Sequence, residues 1–179
     1  MLLYLNKKGM KLKSIALTLI ALIGMNFASN AQKTVVDIAI GSADHTTLVA
    51  AVKAGGLVET LQSAGPFTVF APTNAAFAKL PAGTVDYLLK AENKATLVKV
   101  LTYHVIAGTF DAATVVKAIT DAKGSLALKT VSGGTVTASI KNGKVVLTDE
   151  KGGTATVVAT DLKAGNGIVH VIDSVVLPK

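Results

Sequence analysis

Cysteine, tryptophan and arginine are all missing from this chain of 179 residues. Without cysteine there is no disulfide framework, no thiolate metal site, no thiol nucleophile and no lipid-modified N-terminal cysteine. Without arginine the chain lacks the usual bidentate reader of phosphate and guanine. All 18 basic residues are lysines, and beyond the N-terminus they are scattered, which argues against a nucleic-acid partner. Aromatic residues make up 4% of the sequence, so stacking platforms for a flat ligand or a sugar ring are poor. Long apolar runs are scarce as well. A membrane-spanning helix needs about 20 apolar residues, and no segment reaches that length.

What is present is apolar material in quantity. Half the residues are apolar, enough to build a core without disulfides or metals in a chain that suits one domain. The N-terminus reads as an address. Lys7, Lys8, Lys11 and Lys13 precede the nearly unbroken apolar stretch Ser14–Met25, and small residues follow, ending Ser29-Asn30-Ala31. That is a basic region, an apolar region within the ~7–15 residue range and a small-x-small cleavage site. Residues 1–31 are therefore expected to be a signal peptide cut after Ala31. The peptide is also complete from Met10, so either Met1 or Met10 can be the start. Residues 32–179 then form a single exported domain, extracellular or periplasmic, with no stable membrane span. Losing four lysines and no acid leaves it 14 lysines against 11 acids, a formal +3.

Beyond the leader, helical spacing comes first and strand spacing second. Thr34–Gly41 predicts a short helix. Asp44 is a candidate cap for a helix carrying Leu48, Val49 and Val52, stopped by Gly55-Gly56. Leu57–Gly65 predicts another turn or two. Phe67–Ala71 predicts a buried strand, stopped by Pro72. Thr73 or Asn74 then caps a short helix over Ala75–Leu80. Thr84–Leu89 and Lys94–Ile106 continue the helical rhythm, and Asp111–Thr120 adds about one turn. From Ser125 onward the period is two, with runs rich in Val, Thr and Ile. Asn142-Gly143 between two of them predicts a type I′ hairpin. The class is α+β, helices followed by an antiparallel meander.

No catalytic constellation stands out. There is no phosphate-cradling glycine loop, no G-x-S-x-G and no H-E-x-x-H. His45, His104 and His170 are 59 and 66 residues apart and form no short ligand pair, so satisfied histidines in or near the core are favoured over a metal site. The acids are spread singly except Asp149-Glu150, at an expected turn. No cofactor is implied, and the chain does not read as an enzyme. Asn74 has two readings: a cap, or a polar group that helps hold an anion at the helix N-terminus.

Three separated stretches together resemble the fasciclin (FAS1) domain. They are Phe67–Pro81 (FTVFAPTNAAFAKLP), Leu101–Gly108 (LTYHVIAG) and Gly165–Pro178 (GNGIVHVIDSVVLP). The resemblance spans Thr34–Pro178. It implies a wedge of two antiparallel β-sheets, roughly orthogonal, packed with an N-terminal helical cluster. It also implies a non-enzymatic adhesion or matrix-association module. Tyr103 and His104 match the family's Tyr-His pair, which is implicated in adhesion; after an apolar helical run they read first as core residues that find internal hydrogen bonds, and second as direct contacts. Asp173 matches the acid of the third stretch. Asp161-Leu162 matches an Asp-Ile pair linked to integrin binding in animal members, and the leucine departs from it. His45 stands where an aromatic often follows the aspartate, which suggests exposure or a local hydrogen bond.

Two functions follow as expectations. One is an exported adhesion module whose partner is a cell-surface or matrix protein or polysaccharide. The other is a carrier of an apolar small molecule, such as a carotenoid or lipid, held in a cleft between sheet and helices. The shortage of aromatics weakens the second.

Overall fold

The computed structural model describes residues 32–179. The expected leader, residues 1–31, lies outside the described residues. Helix α1 (Val35–Ile40) starts from a capping box. The Thr34 hydroxyl accepts from the Asp37 amide, and the Asp37 carboxylate accepts from the Thr34 amide at 2.8 Å. A 3-10 turn at Ala43–His45 leads into α2 (Thr46–Gly55), which ends at Gly56 in the left-handed region, φ 70. Then come α3 (Val58–Gln62), β1 (Phe67–Pro72), α4 (Asn74–Ala78), α5 (Thr84–Leu89), α6 (Lys94–Tyr103), β2 (Val105–Ala107) and α7 (Ala112–Asp121). The C-terminal strands are β3 (Ser125–Lys129), β4 (Thr135–Lys141), β5 (Lys144–Thr148), β6 (Thr154–Ala164) and β7 (Gly167–Ile172).

The α+β class and the helices-then-strands order agree with the sequence reading, and three local expectations change. Asp44 does not cap α2; its side chain lies in the 3-10 turn and makes no cap bond. The helical rhythm of Lys94–Ile106 breaks at Tyr103, because Val105 and Ile106 are β-branched and pair with β1. The turn expected at Asp111–Thr120 is a helix of 10 residues, capped by the Asp111 carboxylate on the Thr114 amide at 2.7 Å.

The strands run in the order β2-β1-β7-β6-β5-β4-β3. The meander β3 to β7 is antiparallel throughout, as expected. The pairing of β1 with β7 is parallel, from Phe67↔Gly167 to Pro72↔Ile172, so the sheet is mixed. The 11 residues of β6 serve two neighbours: Thr154–Thr156 pair with β5, and the stretch from Val157 to Ala164 pairs with β7 through two register shifts. Those bulges let one strand belong to both halves of the sheet. At the Asn142-Gly143 turn both residues have positive φ, 52 and 74, as a type I′ turn requires.

Two cores flank the sheet. Val35, Leu48, Val52, Leu61, Leu97 and Leu101 pack on one side with Val69 and Val169. Val115, Ile119, Leu128, Val136 and Leu147 pack on the other with Phe70 and Ile172. β1 alternates between them, which is why it reads as an apolar run interrupted by Thr68 alone. Each fully buried Val, Leu or Ile stabilises by about 1.5–3 kcal/mol. The β1–β7 junction needs bare backbone: a Cβ on Gly167 would overlap the Phe67 carbonyl.

Candidate functional site

The strand-to-helix corner after Pro72 is built by two caps with different targets. The Thr73 hydroxyl accepts from the Ala76 amide at 3.2 Å and caps its own helix, α4. The Asn74 side chain turns away. Its Oδ1 accepts from the Thr47 amide at 2.9 Å and the Thr46 hydroxyl at 3.2 Å, and its Nδ2 donates to the Ala43 carbonyl at 3.0 Å. Asn74 therefore caps α2, in the role first expected of Asp44. Its oxygen and one of its two amide hydrogens are committed to the start of α2, which supports the capping reading over the anion-holding one.

Tyr103 and His104 are interior groups. Tyr103 is 0% exposed and His104 is 3% exposed, so neither offers surface to a partner. The phenol donates to the Thr135 carbonyl at 2.7 Å and accepts from the Glu150 amide at 3.3 Å. Burial pushes its pKa up. Space for the ring depends on Gly134, where a Cβ would come 2.7 Å from the Tyr103 edge. His104 Nδ1–H donates to the Val100 carbonyl at 2.8 Å, which helps end α6, and Nε2 accepts from the Val176 amide at 3.3 Å. With both nitrogens committed and the ring buried, the imidazole is neutral, its pKa lowered to about 4 by desolvation. Of the two sequence readings, core hydrogen bonding describes where the pair lies, and in this conformation the side chains present almost no surface for direct contact.

The same corner fixes the segment after β7. Asp149 is buried; its Oδ1 accepts from the Lys151 and Gly153 amides and its Oδ2 from the Leu177 amide, at 2.9, 2.7 and 2.9 Å. The Glu150 carboxylate takes the Thr135 amide at 2.9 Å and the Lys179 amide at 3.4 Å. Those amides, with Lys179 and Lys99 nearby, hold the Glu150 carboxyl below its ordinary range. Asp173 accepts from the Thr156 amide at 2.8 Å and lies 3.7 Å from the Lys79 ammonium. Burial pushes its pKa up, but the Thr156 amide, the Ser174 hydroxyl and Lys79 together bring it down. Asp173 thus joins β6 to the chain leaving β7.

Asp161 and Leu162 sit at the bulged part of β6. Asp161 has φ 60, and its carboxylate accepts from the Ala112 amide at 2.9 Å at the start of α7. Its own amide donates to His170 Nδ1 at 3.3 Å, while His170 Nε2–H donates to the Phe110 carbonyl at 2.7 Å. His170 is buried, stacked on Phe70 with ring centroids 5.7 Å apart. Leu162 is 38% exposed, and Val158 on the same strand is 52% exposed. His45 is also buried, with Nδ1 2.8 Å from the Ser42 hydroxyl, so the local hydrogen bond expected for it is present and exposure is not. The Tyr103–His104 and Asp161–Leu162 pairs have separate bonding partners and do not form one site.

Sequence reasoning passed over two polar hubs. Thr68, fully buried in β1, donates to the Gly108 carbonyl at 2.7 Å and accepts from the Phe110 amide at 2.9 Å. Asn166 accepts from the Val35 amide at 2.9 Å and donates to the Leu61 and Ser63 carbonyls at 2.7 and 2.9 Å. A hydroxyl inside an apolar strand and an asparagine between two glycines are the signals that mark them. Among the described residues no cluster of three or more His, Asp or Glu could hold a metal. An apolar cleft among α1, α2, α3 and β1 has a free volume of about 40 Å³, space for a water or so.

A mixed sheet with helices on both faces, in which His104, His170, Asp149, Asp161 and Asp173 bond backbone amides and carbonyls while buried His45 holds the Ser42 hydroxyl and keeps its Nε2 without a partner among the described residues, defines a frame held together by side chain-to-backbone bonds. The chain belongs to the fasciclin domain family, whose profile matches residues 43–178. It is 50% identical over 151 residues to the protein sll1483 of Synechocystis sp., covering 84% of this chain and 77% of that one. It is 39% identical over 152 residues to the immunogenic protein MPB70 of Mycobacterium bovis, covering 82% and 70%. Among solved structures, a FAS1 domain pair from the insect cell adhesion molecule Fasciclin I matches its fold with a TM-score of 0.70 at 21% identity, over 81% of this chain and 51% of the other.

Proposed function

We propose that the protein is an exported, non-catalytic adhesion module that binds a cell-surface or matrix protein or polysaccharide. Residues 1–31 act as its signal peptide, and residues 32–179 form the single fasciclin domain that is delivered outside the cytoplasm. The observation that carries the reading is the complete engagement of the family's polar motif in internal hydrogen bonds. Tyr103, His104, Asp173 and Asp161 hold backbone together, and none is left free beside a cavity as an acid, base or nucleophile. Family membership and the fold shared with a cell adhesion molecule support the same reading. Leu162, on the same strand as the exposed Val158, is a motif residue whose side chain is still available to a partner.

The carrier alternative finds less support: the apolar cleft between sheet and helices has about 40 Å³ of free volume, and the wider groove of about 600 Å³ along Gly65, Thr109, Asp111, Lys163 and Asn166 is open and lined mostly by small and polar side chains, unlike an enclosed apolar site for a carotenoid or a lipid chain. Incubation of the purified protein with a cell-surface extract of its own host tests the proposal. Saturable retention on protein or polysaccharide from that extract is expected. Failure to be retained, or purification from the host with a coloured or lipid ligand, contradicts it.

A further inference from the structure

The outer face of β3–β6 carries a pattern that the family motifs do not touch. Directly opposed residues share a face, so the register assigns its members. One row is Ala127, Thr137, Thr148 and Thr154; the next is Ser125, Ser139, Val146 and Thr156. Lys129 opposite Thr135 closes one end, and Lys141 opposite Lys144 closes the other. The reverse face supplies Leu128, Val136, Ala138, Leu147 and Ala155 to the core beneath α7. The outer face is thus a strip of hydroxyls around Val146, with lysines at both ends. Lys141 lies six residue steps along β4 from Thr135, so the two ends lie about 20 Å apart.

Its charge is of one sign. Residues 122–148 contain four lysines and no acid. Among the described residues Lys129, Lys141 and Lys144 make no ion pair. The carboxylates bordering the strip are occupied: Glu150 by the Thr135 and Lys179 amides, Asp173 by the Thr156 amide and Lys79. Placing like charges directly opposite, as at Lys141 and Lys144, works against the sheet. Edge protection explains Lys129 on the edge strand β3, but β4 and β5 are interior strands. An anionic partner resolves the repulsion.

We propose that this face binds an acidic polysaccharide, a linear polymer bearing carboxylates or sulfates. The lysines meet its charges and the Thr and Ser hydroxyls hydrogen-bond its sugar oxygens. The aliphatic centre of the strip, Val146, is 8% exposed, and the apolar side chain that does project beside it, Val158 on β6, is 52% exposed; one exposed valine among hydroxyls and lysines gives little to insert into a membrane, so a polymer is favoured over a lipid surface. The inference rests on the surface-binding reading and specifies its partner.

The test is binding of the purified protein to immobilised polygalacturonate, with dextran as the neutral polymer and phosphatidylglycerol vesicles as the lipid. Retention on polygalacturonate alone is expected, weakening as salt rises. The Lys129→Gln/Lys141→Gln/Lys144→Gln variant should bind roughly tenfold more weakly. A variant with equal charge loss elsewhere, Lys53→Gln/Lys94→Gln/Lys163→Gln, should stay within about twofold of the unaltered protein. Equal loss in both variants, equal retention on dextran, or preference for the vesicles overturns the proposal. Retention of the first variant at full strength on host cell-surface extract would sink this face and leave the surface-binding reading standing. Absence of any retention of the unaltered protein on that extract would sink the broader reading.

Discussion

The Tyr103–His104 corner and the outer face of β3–β6 use polar residues in opposite ways. At the corner, Tyr103, His104 and Asp149 are buried, and among their bonds are ones that join segments far apart in the chain: α6 to β4, α6 to Val176, the β5–β6 turn to Leu177. On the outer face the hydroxyls are half-buried or exposed and the lysines are exposed. Groups spent on internal bonds specify the architecture and have little left for a partner. Exposed groups that add nothing to the core, and that repel one another, are free to be selected for binding. Motif residues shared by a family therefore need not be the residues that touch its ligands.

Substitutions separate the two regions by what they cost. The largest effect is expected for His104→Ala. It removes a buried ring and strands the Val100 carbonyl and the Val176 amide, a loss of about 3 kcal/mol. Thermal denaturation should show a melting point about 10 °C lower. If the melting point hardly moves, the corner does not hold the fold.

A pH series asks the same question without mutation. His104 is held at a pKa of about 4, below its ordinary 6.5, so between those values the unfolded chain binds more protons than the folded one. Stability should be full above pH 6.5 and fall as pH drops toward 4, by about 3 kcal/mol for this group. His45, its pKa lowered mainly by burial, adds a loss of the same sign. Asp173 and Glu150, also held below their ordinary values, extend the loss to lower pH. Urea midpoints across this range give the slope, and His104→Ala should make it shallower.

Tyr103→Phe is gentler. The ring stays and the bonds to the Thr135 carbonyl and Glu150 amide go, for about 1 kcal/mol by urea denaturation. On the outer face the sign reverses. Lys141→Gln/Lys144→Gln removes a like-charge pair and should raise stability by a few tenths of a kcal/mol. A stability loss there as large as that of Tyr103→Phe would show that the lysines serve the fold.

Much of the architecture was legible because its signals are local. Phe67–Pro81 shows its strand, proline stop and cap, and Asn142-Gly143 announces its hairpin. The partner of β1 was not, since parallel pairing with β7 joins residues about a hundred apart and leaves no turn between them. Its trace was the mainly apolar character of both strands, interrupted by Thr68 in β1 and His170 in β7, the mark of strands buried on two faces. Val105 and Ile106 fit a helical rhythm as well as a strand, and only the edge of β1 decides. Asn74 showed itself as a cap, but not that it caps α2. At the corner, residue types suggested burial of Tyr103 and His104, while their partners lie 32 and 72 residues away. The outer face was half visible: Thr135, Thr137 and Ser139 alternate plainly, but joining them to Lys144 and Thr148 needs the hairpin register.

The most direct test of this division measures retention on host cell-surface extract for two variants side by side. Tyr103→Phe should be retained within about twofold of the unaltered protein, and Lys129→Gln/Lys141→Gln/Lys144→Gln roughly tenfold less, with both folded. The reverse ranking, with loss of retention in a folded Tyr103→Phe and none in the lysine variant, would contradict the account and return binding to the motif.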